Sequence, residues 1–176
     1  MNINNTVHSL FEDGLIGIGL NPTSAQSKMS SATNLIDLLH DGFYIVFLFN
    51  QQYIPSNVDE FRDKILNLLN HFENQARKLQ FSANDIHDAK YAYCALLDET
   101  IVTQQSAQFF DLQNNWMISP LQLSLFGSQL AGYRFFESLE FLRSQGKDRL
   151  AALEVFHYCM LLGFYGKFRI ESIENL

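Results

Sequence analysis

The 176-residue sequence lacks any apolar run long enough to cross a bilayer: its longest strongly apolar stretch, about residues 42–49, falls far short of the roughly twenty residues that a membrane helix needs. It also lacks a cluster of Lys and Arg. With a formal charge of -7, it has no basic stripe to meet phosphates, which excludes a nucleic-acid partner. Cysteine is scarce: Cys94 and Cys159 are the 2 present, each inside a helical pattern among apolar neighbours, where reduced thiols pack as small hydrophobes. No secretory signal pattern opens the chain, so a reducing compartment and buried free thiols are expected, a disulfide being possible but not implied. Metal-ligand types occur as His40-Asp41, His87-Asp88 and the Glu154, His157, Cys159 group, yet no H-x-x-x-H or C-x-x-C spacing places them together. Gly14, Gly17 and Gly19 read G-x-x-G-x-G with no strand before them, and Ser124 and Ser128 lack a G-x-S-x-G elbow. No metal and no cofactor are therefore expected.

Strand periodicity is absent as well, and apolar residues at three-and-four spacing dominate instead, so the class is all-α. A hydrophobic content of 47% with 16 Phe suffices for one sizeable core filled by large rings. Residues 1–31 carry Gly, Pro, Ser and Asn around a short apolar patch at 15–20 and read as a flexible arm. A helical domain over 32–170 and a polar tail over 171–176 follow. The first helix starts at Asn34 and ends before Pro55. Ser56 is expected to cap the second, which presents Val58, Phe61, Ile65, Leu68, Phe72, Ala76 and Leu79. Ser82 and Asp85 repeat the capping pattern for a third helix running to about Gln104, and these three are expected to form one three-helix unit. Beyond a polar loop at 105–117, Ser119 and Pro120 open a short helix closed by Gly127. A longer helix then turns Leu130, Phe135, Leu139 and Leu142 inward and stops at Gly146. Asp148 is expected to cap the last helix, with Leu150, Leu153, Met160 and Leu161 on its apolar side and Gly163 and Gly166 ending it. Trp116, the sole tryptophan, is expected to plug the core of the second half.

The most informative stretch is 89–99, A-K-Y-A-Y-C-A-L-L-D-E, an apolar helical pattern running into two adjacent carboxylates. The residues leave three readings of Asp98 and Glu99 open. They form a solvated helix end, a catalytic pair, or a recognition site in a cleft. Neighbours on a helix diverge by about 100°, which weighs against a catalytic pair because acid/base work needs two groups facing one substrate.

This run resembles the A-x-Y-A-x-C-A-L-x-D-E signature of the TssL/DotU (IcmH) family, inner-membrane components of bacterial type VI and type IVB secretion systems. Two further blocks agree in order. Trp116, Pro120, Leu121, Phe126 and Gly127, then Ala131, Gly132, Phe135 and Phe136, are similar to W-x-x-x-P-L-x-x-x-x-F-G and A-G-x-x-F-F. Leu153, Glu154, Tyr158, Cys159, Leu162, Gly163, Phe164, Gly166, Lys167, Phe168 and Arg169 resemble the block near the family's C-terminal end.

The resemblance implies two small helical bundles joined in a hook-like single domain at the cytoplasmic face of the inner membrane. It also implies a membrane helix C-terminal to that domain, so the gene is expected to continue past Leu176 into about twenty apolar residues. The implied role is a non-enzymatic scaffold linking the membrane complex of a type VI system to its baseplate. Implied partners are a TssM/IcmF-type membrane protein, a TssJ-type lipoprotein, and the baseplate proteins TssK and TssE; a homodimer is compatible with it. Within it, Asp98 and Glu99 become the partner-binding pair, expected to be at least partly accessible, so that reversing both charges weakens binding while sparing the fold. The alternatives are a DotU/IcmH component of a type IVB system, or a small helical enzyme using Asp98, Glu99 and His87.

Overall fold

A computed structural model describes residues 34–128 and 131–169, which are helical with no strand among them. The expected arm, tail and inward Leu130 lie outside the described residues. Two compact units divide the chain, one ending at Gln80 and the other starting at Phe81.

In the first unit, α1 (Leu35–Leu38), α2 (His40–Asn50) and α3 (Val58–Lys78) pack on one another. Asn34 caps α1, its Oδ1 accepting from the Asp37 N–H at 2.8 Å. The single helix expected from residue 34 is broken at Leu39, whose backbone leaves helical geometry (φ -95°, ψ 5°) while its side chain stays buried. The cap of α3 is Asn57, one residue beyond the expected Ser56. Its side chain accepts from the Asp59 and Glu60 N–H groups, and its amide reaches back to Glu60. Asn ranks with Ser as a cap, so local pattern could not separate them. Phe61, Ile65, Leu69, Phe72 and Ala76 form the buried face of α3, with Leu69 in the place expected of Leu68. Phe49 meets Phe61 edge-on at 5.6 Å between ring centres.

In the second unit, α4 (Ala83–Val102) is enclosed by α5 (Phe110–Ile118), α6 (Leu121–Phe126), α7 (Ala131–Ser144) and α8 (Leu150–Leu161). The signature helix therefore groups with the C-terminal half, which corrects the expected three-helix unit. Its burial explains why: beyond the expected Ile86, Ala89, Tyr93, Leu96 and Leu97, it also buries Tyr91, Ala92, Cys94, Ala95 and Ile101. A helix apolar on every side needs walls on every side. Residues 105–117, expected to be a loop, contain a 3-10 turn (Ala107–Phe109) and α5, because Phe109, Leu112 and Trp116 recur at helical spacing and are all buried. On α8 the buried residues are Ala152, Val155, Phe156 and Cys159, whereas Leu150 and Leu161 are exposed, so the expected apolar side was turned. The helix is apolar on more than one face, and composition alone does not say which face finds a partner. Gly127 (φ 66°), Gly146 (φ 63°) and Gly166 (φ 52°) occupy left-handed positions as their places at element ends imply.

Candidate functional site

In helix α4 the buried apolar run from Tyr91 to Leu97 leads into two carboxylates, and the turn of about 100° between them sends each to a different neighbour. Asp98 is 4% exposed. Its Oδ1 accepts from the Trp116 indole Nε1–H at 2.7 Å and from the Leu121 N–H at 3.0 Å, and its Oδ2 accepts from the Gln122 N–H at 3.0 Å. Helix α6 begins after Pro120, which has no side chain able to cap it, so the first free N–H groups of α6 are satisfied from α4. Ser119 and Pro120 do mark that start, but the capping oxygen comes from Asp98. Burial pushes the Asp98 pKa up, and the N–H donors pull part of it back.

Glu99 turns the other way. Its Oε1 accepts from the Tyr165 N–H at 2.9 Å, its Oε2 accepts from the Gly166 N–H at 2.7 Å, and Arg169 Nε lies 3.3 Å from Oε1. The turn it holds is pressed against the start of α7. A Cβ on Gly166 would stand 2.9 Å from the Gly132 carbonyl oxygen, and one on Gly132 would stand 3.2 Å from the Lys167 nitrogen. Glycine at 166 is required for this approach, and a Cβ at 132 would push the two backbones apart by a few tenths of an ångström. Phe164 closes the turn from inside, its ring centre 4.2 Å from that of Phe135.

Between these two attachments lies a cleft of about 430 Å³. Ala95 and Val102 of α4 and its C-terminal cap Thr103 line it with the two carboxylates, together with Met117, Pro120 and Gln122 from the Asp98 attachment and Gly132, Phe164, Gly166 and Arg169 from the Glu99 attachment. Its surface is mainly apolar, and both carboxylates are engaged within it. The expected accessibility is corrected for Asp98, which is buried and satisfied by three donors; Glu99 lines the cleft with its side chain 14% exposed, partly accessible as expected but already paired with the 165–169 turn. A buried carboxylate must be hydrogen-bonded, and three convergent N–H donors supply what a partner cation was expected to supply. Trp116 is fully buried, as expected of a core plug. Its bond to Asp98 was not foreseen. Trp116 and Asp98 are 18 residues apart, and nothing in a linear pattern announces such a pair.

Two other attachments were also missed. Arg149 forks between Asp85 Oδ1 (2.7 Å from Nε) and Asp88 Oδ2 (2.5 Å from Nη2), tying the turn before α8 to the first turns of α4. Asp148, expected to cap α8, does not do so; Arg149 precedes the helix without a side-chain cap, being committed to α4. Ser82 and Asp85 form the expected cap, the Ser82 Oγ accepting from the Asp85 N–H at 3.0 Å and donating to its Oδ2 at 2.6 Å. Gln113 of α5 bridges to the carbonyls of Ile101, Val102 and Gln104, finishing the C-terminal end of α4. His87 does not join the acidic pair. It lines a separate, more polar hollow of about 520 Å³ with Asp88, Tyr91, Phe126, Arg134 and Glu137. Among the described residues no group of His, Cys, Asp and Glu is arranged to hold a metal ion.

Residues 34–176 match the family model described as "Type VI secretion system protein DotU". The chain belongs to the DotU family. The cytoplasmic domain of TssL from Acinetobacter baumannii is 75% identical over 82% of this chain and 90% of that one, with a TM-score of 0.78. SciP/TssL from enteroaggregative Escherichia coli 042 shares the fold at 22% identity, covering 75% of this chain and 74% of that one with a TM-score of 0.62. No curated protein matches the chain. The DotU family is a type VI secretion inner-membrane family, and no described helix of this member is long and apolar enough to cross a membrane.

Proposed function

We propose that the chain is a non-enzymatic scaffold domain at the cytoplasmic face of the inner membrane, joining the membrane complex of a type VI system to its baseplate. Membership of the DotU family carries this reading. The partners it implies are a TssM/IcmF-type membrane protein with a TssJ-type lipoprotein on one side, and TssK and TssE on the other. In this reading Asp98 and Glu99 serve partner binding indirectly. They fix the two sides of a mainly apolar cleft, and the cleft is the docking surface, since its lining exposes the apolar side chains of Val102 (38%) and Met117 (54%). The enzymatic alternative is disfavoured because His87 lines a different hollow from Asp98 and Glu99, and because Asp98 is spent on three N–H groups.

Val102→Asp and Met117→Asp, both at exposed positions, test it. Each variant is expected to melt within a few degrees of wild type, surface changes altering stability by only about 0.5 kcal/mol. In pull-downs from native membranes read by mass spectrometry, each is expected to lose the baseplate proteins. Normal recovery of all partners by both variants would exclude the cleft as the docking surface.

A further inference from the structure

We propose that Asp98 and Glu99 act as one cooperative latch, so that the hold on Trp116 and α6 and the hold on the 164–169 turn tighten and loosen together. Two routes join them. The first is direct: the carboxylates spring from consecutive residues of one helical turn, so a shift of the Trp116, Leu121 and Gln122 donors that drags Asp98 also re-aims Glu99. The second runs through the neighbours. Asp98 fixes the first turn of α6, α6 and α7 both pack on α4, and Gly132 near the start of α7 lies against Gly166, whose N–H returns to Glu99. The circuit closes on itself.

Its crossing point is backbone against backbone. Where a flexible side chain would absorb a displacement by changing rotamer, the Gly132–Gly166 contact is backbone against backbone with only the packed Phe164 ring beside it, so a movement of α7 passes to the turn. Phe164 holds the inner side of that turn among the rings of Phe135 and Phe136, at 4.2 and 6.1 Å between centres. The cleft lies inside the circuit and touches both walls. Whatever seats there is therefore linked to the firmness of the turn, and firmness of the turn is linked by the same factor to affinity in the cleft. That consequence rests on the cleft being the docking surface; the latch itself does not.

The test uses the isolated chain without any partner, so its outcome is separate from that of the pull-downs. Native-state hydrogen exchange followed by NMR reports the Trp116 indole N–H, which is bonded to Asp98 and not to Glu99, and the Gly166 N–H, which is bonded to Glu99 and not to Asp98. Rates are referred to the slowest backbone amides of α4, which cancels global unfolding. In Glu99→Gln the Trp116 indole is expected to exchange about tenfold faster, and in Asp98→Asn the Gly166 amide is expected to accelerate by about the same factor, as coupled neighbours do. Acceleration confined to the altered residue's own donors, with the other clasp at its wild-type rate, would overturn the latch. Should Asp98→Asn not fold, the Glu99→Gln arm decides alone, because an amide in place of Glu99 still offers an acceptor to the turn.

Discussion

Asp98→Ala is expected to lower the folding free energy by about 3–5 kcal/mol in urea unfolding followed by Trp116 fluorescence, because it strands three buried donors at once. Trp116, Leu121 and Gln122 are all buried, so their N–H groups lose their acceptor where solvent access is small. Asp98→Asn is expected to lose less, since its carbonyl still accepts from Trp116 and Leu121 while its NH₂ group faces the Gln122 N–H. The two also differ in pH dependence. Burial raises the pKa of Asp98 in the folded chain above its unfolded value. Between those two values the folded protein retains a proton that the unfolded chain has released, so the wild type loses stability as pH rises through that window. Asn has no such proton. The advantage of Asp over Asn is therefore expected to be largest in acid and to narrow as pH rises from about 4 through the window above the unfolded pKa. A constant gap across that range would mean that the carboxylate is as comfortable ionised inside as in water.

The second large effect is at the opposite end of the same helix. Arg149→Ala is expected to cost about 3 kcal/mol, the loss that follows when a mostly enclosed ion pair keeps only one of its sides. Arg149 is 13% exposed at its side chain, against 9% for Asp85 and 25% for Asp88, so neither acid is freely rehydrated when the guanidinium goes. The penalty stops short of the fully buried extreme because both acids lie near the N-terminal end of α4, where the helix dipole favours them, and Ser82 still donates to Asp85. Arg149→Lys is expected to recover only part of the loss. One ammonium cannot reproduce a planar fork that sends separate nitrogens to two carboxylates. Chemical denaturation of the two variants at low salt checks both statements, and a Lys variant as stable as wild type would show that charge alone is needed.

The all-α class was legible because three-and-four periodicity is written into nearly every segment, and so were most helix ends, where Gly127, Gly146, Gly163 and Gly166 supply positive φ. What local pattern could not supply was partnership. Helix α4 is apolar on several faces, so periodicity identified a helix without saying which half of the chain would surround it. The same holds for α8, whose exposed Leu150 and Leu161 are chemically indistinguishable from the residues it buries. Residues 105–117 read as polar because Gln and Asn outnumber the three apolar anchors, yet those anchors fall on one face and decide the conformation. The acidic pair was legible as unusual and its divergence as geometric fact. That three backbone or indole N–H groups would converge on Asp98, and two more on Glu99, depends on contacts 18 to 67 residues apart. Charged neighbours at a helix end are commonly solvated, and only the tertiary fold shows that Asp98 is buried and that Glu99 keeps little exposure.

The central claim is that the acidic pair builds the cleft from within. Thermal melting of the Asp98→Lys/Glu99→Lys double variant, followed by far-UV circular dichroism, tests it most directly. The claim predicts loss of the cooperative transition, because two cations would be driven against five N–H donors and Arg169. A variant that melts like wild type while failing to recover its secretion partners would contradict it, and would return the two carboxylates to the surface role expected of them from the sequence.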